Sequence, residues 1–200
     1  MARSASPKLE FDSKRFVIRL YRASDYARWR AAHVVMFPKQ SEFDQPEKSD
    51  PELTREAFKK LVAQQERYRK QGVIYHFGIF EKRTGRMMGY VLLALVMRFN
   101  VQSARISYAI FNNYWKHGYG KEAVTATIDF AFKRLKLHRL EAEILPHNHG
   151  SVALVRGLGF RFEGVRRGAV YFDRSWHDHA MYALLAEDRG IKNVRPSVFT

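Results

Sequence analysis

The spacing of apolar and polar residues changes period along the chain, and each change marks an element. Arg15-Phe16-Val17-Ile18-Arg19-Leu20 alternates as a strand does. Ser24-Asp25 then caps a helix carrying Tyr26, Trp29, Ala32 and His33. The polar segment 38–50 reads as a loop suited to mobility. Asp50-Pro51 predicts the start of a second helix through Leu53, Ala57, Leu61 and Tyr68, stopped at Gly72. Residues 73–80, 87–97 and 104–111 read as strands, the first two joined by a hairpin turn at Lys82-Arg83-Thr84-Gly85. Val124, Ile128, Ala131, Phe132 and Leu135 then return to the helical period, which predicts a third helix from Gly118 to about Leu137. Residues 138–145 form a strand that Pro146 ends, and a short helix follows from about Ser151 to Leu158, with Gly159 just past its end. Residues 165–172 and 177–185 make a last hairpin turning at Asp173-Arg174-Ser175. The order βααβββαβαββ predicts an α/β (α+β mixed) fold, a mixed sheet with helices on its faces. Residues 1–12 read as a loose arm, 13–187 as a single domain and 188–200 as a tail.

The third helix opens through Tyr114-Trp115-Lys116-His117-Gly118-Tyr119-Gly120-Lys121-Glu122-Ala123, directly after a strand. Glycines there let a ligand approach the backbone, and the first helical turn leaves amides unpaired. Those donors and the positive end of the helix dipole suit a phosphate or pyrophosphate. The phrase also fits G-x-G-x-x-A, a dinucleotide fingerprint. That reading wants an acid at the tip of the following strand, whereas Glu141 and Glu143 precede Ile144 and Leu145 inside it. A Walker A loop is excluded, because Lys121 is followed by Glu122.

Composition narrows the chemistry. The 200 residues contain no cysteine, which removes disulfides, thiolate metal sites and Cys nucleophiles. No apolar stretch follows the first residues as in a signal peptide, and the longest apolar run, 90–97, is too short to span a bilayer. The expectation is a cytoplasmic protein with no membrane partner. The net charge of +15 attracts acidic partners, RNA and ribosomes among them, or serves only as a solvated surface. The pairs His147/His149 and His177/His179 have the spacing of metal ligands but lack an evident third, so no metal is expected.

Four segments carry a resemblance. They are Ile106-Ser107-Tyr108-Ala109-Ile110, the glycine turn, His138-Arg139-Leu140-Glu141-Ala142 with Pro146-His147-Asn148, Ser151 and Gly157-Leu158-Gly159-Phe160, and Trp176-His177-Asp178-His179 with Tyr182. Over roughly residues 15–185 the chain resembles the GNAT-type N-acetyltransferases, and within them the ribosomal-protein N-terminal (alanine) acetyltransferases. The resemblance implies a mostly antiparallel, splayed mixed sheet and acetyl-CoA as cofactor. It places the pyrophosphate on amides of Trp115, Lys116, His117, Gly118, Tyr119, Gly120 and Lys121. It places the pantetheine arm along Tyr108, Ala109 and Ile110, where backbone N–H and C=O groups of Tyr108 and Ile110 pair with it as an added strand would. Lys116, His117 and Lys121 either add charge to the phosphates or face solvent. Asn148 matches a coenzyme contact or simply turns the chain. Ser151 matches the hydroxyl residue assigned as general acid in the ribosomal-protein branch, and it also sits where a helix N-cap belongs.

The position that often carries a Tyr acid is Val155 here, and the position of a Glu base in some relatives is Val170. Glu141, Glu143 and Asp178 remain as carboxylates for a base, each with a structural alternative. A protein α-amine, with a pKa of about 7.7–8.0, is roughly one-third neutral at about pH 7.5; a lysine amine near 10.4 is only about 0.1% neutral. The difference is about 3.5 kcal/mol of deprotonation. A site without a strong base therefore suits an N-terminal α-amine. Three readings follow: acetylation of the N-terminal amine of a ribosomal or other protein, acetylation of a small-molecule amine, and a non-catalytic ribosome- or RNA-binding module. Monomer and homodimer are both open.

Overall fold

The computed structural model describes residues 9–44 and 48–192. Its strands are β1 (Glu10–Asp12), β2 (Phe16–Leu20), β3 (Ile74–Glu81), β4 (Met87–Met97), β5 (Ser103–Ile110), β6 (Arg139–Ile144), β7 (Arg161–Phe172) and β8 (Ser175–Leu185). Its helices are α1 (Tyr26–Val34), α2 (Arg55–Gln71), α3 (Tyr119–Lys133) and α4 (His149–Gly157). Hydrogen-bonded neighbours follow the order β1-β2-β3-β4-β5-β6-β8-β7. Pairs β1/β2, β2/β3, β6/β8 and β7/β8 are antiparallel and β5/β6 is parallel, so the sheet is mixed, as the element order predicts, and mostly antiparallel, as the resemblance implies.

Two compact units divide the chain: residues up to Leu92 with Tyr108–Leu135, and Leu93–Ser107 with Lys136 onward. In the first, the alternation of β3 sends neighbours to opposite faces. Phe80 joins Tyr21, Trp29, Phe58, Met87 and Phe111 in a buried cluster with α1 and α2. Phe77 turns the other way and meets Phe130 of α3 at 5.5 Å between ring centroids, with Phe11 stacked on Phe130 at 4.4 Å. Phe11 lies in β1, so residues 10–12, expected within the loose arm, form an edge strand paired to β2. Residues 1–8 lie outside the described residues, as do 193–200 of the expected tail.

Three helix boundaries differ from the sequence expectation. Asp50-Pro51 sits in a short 3-10 turn, and α2 starts after Thr54, whose hydroxyl accepts the Ala57 amide at 3.1 Å. Gly72, left-handed with φ 68°, ends that helix as expected. α3 stops at Lys133, and Lys136 takes φ 56°, which no helix continues through. α4 starts at His149 rather than Ser151.

In the second unit, β6 buries Leu140, Ala142 and Ile144 on one face and carries Arg139, Glu141 and Glu143 on the other. β7 starts at Arg161, four residues earlier than expected, and two register shifts interrupt its pairing with β8. It is the last strand in the order, and its bulges and arginines protect an edge that would otherwise template aggregation. The hairpin turns on two left-handed residues, Asp173 (φ 46°) and Arg174 (φ 62°), so Ser175 already belongs to β8.

Candidate active site

The glycine turn and the last three residues of the strand before it, Tyr108, Ala109 and Ile110, share one unit. β5 pairs with β6 only at Ser103, Ala104 and Arg105, so Tyr108, Ala109 and Ile110 lie beyond that ladder. A glycine fixes the local path of β5. A Cβ built on Gly89 of β4 would stand 2.0 Å from the Ala109 carbonyl oxygen and 2.9 Å from Ile110 Cα. The Phe111 amide then donates to Met88 O at 3.0 Å. Sequence reasoning passed over Gly89, although a lone glycine inside an apolar strand signals close backbone approach.

A 3-10 turn, Asn112–Tyr114, connects β5 to the glycine turn. Asn112 is buried and pins the segment after α1: its side chain accepts the Phe37 amide at 2.8 Å and donates to Phe37 O at 2.8 Å and to buried Asp44 at 2.9 Å. Trp115 braces the turn from within. Its indole donates to Ile110 O at 2.7 Å and its amide to Asn112 O at 3.3 Å. The Trp115 amide and the Ile110 carbonyl are thus both engaged inside the chain.

Lys116 (φ 64°) and Gly118 (φ 73°) are both left-handed, which curls the backbone ahead of α3. Gly118 is the N-cap residue and supplies no side-chain cap. The first-turn amides of Tyr119, Gly120 and Lys121 thus have no partner within the helix. Lys116, His117 and Lys121 are exposed, with the His117 ring stacked on Tyr119 at 5.3 Å. This curled, uncapped helix start fits a pyrophosphate.

Glu122 locks the curl in place. Its carboxylate accepts from Ser13 Oγ at 2.7 Å, from the Arg15 amide at 2.6 Å and from Arg15 Nε at 2.6 Å. The Arg15 guanidinium also lies over the Tyr119 ring at 4.5 Å. Burial alone raises the Glu122 pKa, but the Ser13 hydroxyl and the Arg15 groups outweigh it and hold it below the usual carboxylate value. A lowered folded-state pKa stabilises the protein above the unfolded value of about 4.3, and that contribution is lost as pH falls through the folded value. Glu122→Gln is therefore expected to cost about 2 kcal/mol at neutral pH, with the gap to wild type closing in acid, as read by urea denaturation at both pH values.

Asn148 and Ser151 belong to the other unit. Asn148, not Ser151, caps α4: its Oδ1 accepts the Ser151 amide at 3.1 Å. Ser151 is the third residue of the helix, fixed by that bond.

The carboxylates weighed as bases are engaged. Glu141 receives Arg139 Nε at 2.9 Å and Ser103 Oγ at 3.2 Å. Glu143 receives Arg105 Nε at 2.8 Å and Arg166 at 2.7 Å, with His179 Nδ1 at 3.5 Å. Exposed Asp178 accepts the Gly168 amide at 2.8 Å across the hairpin. Of the paired histidines, His177 Nε2 lies 2.6 Å from Ser175 Oγ.

An acetyltransferase (GNAT) domain model matches residues 15–161, nearly three-quarters of the chain and all of the glycine turn. The chain belongs to the GNAT acetyltransferase family. The probable N-acetyltransferase YjcK of Bacillus subtilis is 38% identical over 130 residues, covering 65% of this chain and 71% of that protein. The ribosomal protein uS5-alanine N-acetyltransferase of Escherichia coli is 28% identical over 190 residues, covering 93% and 95%. The structure of Mycobacterium smegmatis RimJ in complex with CoA-disulfide shares the fold at a TM-score of 0.76 and 22% identity, covering 90% of this chain and 88% of that one. This GNAT protein is accordingly an acetyl-CoA-dependent N-acetyltransferase acting on an amine.

Proposed function

We propose that the acetyltransferase modifies the N-terminal α-amine of a protein, with ribosomal proteins as the favoured acceptors. The engagement of Glu141 and Glu143 by arginines carries this reading. Their oxygens are occupied by guanidinium donors at 2.7–2.9 Å, so neither carboxylate stands open to an incoming amine. An α-amine needs little help, since a large share is already neutral near pH 7.5, whereas lysine needs a strong base. The uS5-alanine relative, aligned along almost the whole chain, supports the same acceptor class.

Bound acetyl-CoA supplies an activated acetyl thioester. The amides from Lys116 to Lys121 bind its pyrophosphate, and Lys116 and Lys121 add charge. Tyr108 presents backbone groups to the pantetheine arm. Asn148 orients the first turn of α4, and Ser151 Oγ holds a proton for the leaving group. The acceptor amine releases its proton to water.

The test is an acceptor panel with purified protein: short peptides beginning Ala or Ser, their N-terminally blocked lysine counterparts, and a polyamine. The α-amine peptides are expected to lead by at least about tenfold in kcat/KM. Equal rates on blocked lysine peptides, or a preference for the polyamine, overturn the assignment.

A further inference from the structure

A groove of about 690 Å³ lies between α1, the β3–β4 turn and the segment after β5, within one compact unit. Ala27, Ala31 and Val35 of the α1 segment recur every fourth residue and face it, with Met87 and Tyr114 completing an apolar floor. These three α1 positions are exposed, and Val35 is 51% accessible beside Val34 and Phe37 at 54% each. Arg28 and Arg86 also line the groove, and no acidic residue does. Arg83 and Arg86 are exposed and have no acidic partner among the described residues. Arg28 shares Asp25 with Arg19 and keeps half its side chain accessible.

An apolar floor beside an unpaired Arg86 and an Arg28 that shares its one carboxylate with Arg19 calls for an occupant with both characters. We infer that this groove docks an acidic amphipathic segment of a partner protein, its apolar side chains on Ala27, Ala31 and Val35 and its carboxylates toward Arg28 and Arg86. A second copy of the chain is a poor occupant, because its net charge of +15 repels a basic groove. A nucleic acid would find charge but only one aromatic face among the lining residues, Tyr114, where successive bases each need one. A helix laid in a groove with anchors at four-residue spacing is a recurrent mode of peptide recognition. The docking does not depend on which amine the enzyme acetylates.

Fluorescence anisotropy with the full chain tests this. One probe is a labelled amphipathic peptide of about 14 residues built from Leu, Ala and Glu; a second replaces each Glu with Lys; a third is a single-stranded oligonucleotide of similar length. The Glu peptide is expected to bind at least about tenfold tighter than the Lys peptide, with affinity falling as salt rises. Ala31→Glu is expected to weaken it about tenfold and Arg86→Glu about fivefold, while Lys59→Glu on α2 leaves it within about twofold. Circular dichroism and basal turnover on a short acceptor peptide confirm that the variants are folded. Three results overturn the inference: no binding of the Glu peptide, binding that ignores Ala31→Glu, or displacement of the peptide by the oligonucleotide at lower concentration. Light scattering that shows a dimer in the wild type and a monomer in Ala31→Glu overturns it too, by assigning the groove to a second copy.

Discussion

Gly89→Ala is expected to abolish acetyl-CoA binding and to destabilise the protein by about 3 kcal/mol or more. The added methyl would stand 2.0 Å from Ala109 O and 2.9 Å from Ile110 Cα. Both neighbours are backbone, so no side chain can rotate away. The φ of 155° at Gly89 adds strain for any residue with a Cβ. Relief requires β4 and β5 to part near Phe111 N and Met88 O, now 3.0 Å apart. That displaces Tyr108, Ala109 and Ile110, the strand assigned to the pantetheine arm, and carries Trp115 with them through its bond to Ile110 O. Isothermal titration with acetyl-CoA and urea denaturation measure the two effects separately. A folded Gly89→Ala protein with wild-type coenzyme affinity would show that the close approach does not shape the site.

The sequence makes long, regular elements readable and hides the short and competing ones. β4 and β5 stand out because many residues repeat one period between clear breaks. β1 does not, since Glu10-Phe11-Asp12 offers one apolar residue, Phe11, to a partner, Ile18, seven residues on. At α4, two good capping residues lie three apart. The choice of Asn148 follows from its place just after the strand end, where its side chain reaches the Ser151 amide. The end of α3 is hard to read because Leu135 and Leu137 prolong the apolar run, although a spacing of two is not helical. The glycine turn is legible as a candidate phosphate site because glycine placement and an amphipathic helix coincide there. The bracing by Trp115, Glu122 and Asn112 is not, because each depends on partners brought near only by folding. Arg15 and Glu122 stand 107 residues apart in sequence.

Asp25→Ala is expected to be the most damaging substitution remote from the glycine turn, at about 3–5 kcal/mol. Asp25 is fully buried and binds Arg19 through two bonds, 2.6 and 2.8 Å, plus the Arg22 amide at 2.8 Å and Arg28 at 3.0 Å. Arg19 is 8% exposed and lies over the Phe80 ring at 4.1 Å. Removing the carboxylate leaves that guanidinium charge stranded against the aromatic core, and typical total stability is only about 5–15 kcal/mol. Burial raises the Asp25 pKa, but the hydrogen bonds from Arg19, Arg22 and Arg28 outweigh it and lower the pKa overall. Its stabilisation is thus present above the unfolded value of about 3.9 and fades as pH falls through the folded one. Asp25→Asn keeps the shape without the charge and is expected to fall between wild type and Asp25→Ala. The decisive comparison is Arg19→Met with Asp25→Ala. If the cost of the single change is a stranded charge, the double variant is expected to be more stable than Asp25→Ala alone. If it is instead lost packing around α1, the double variant is expected to be less stable, and urea midpoints for the three proteins decide between the two.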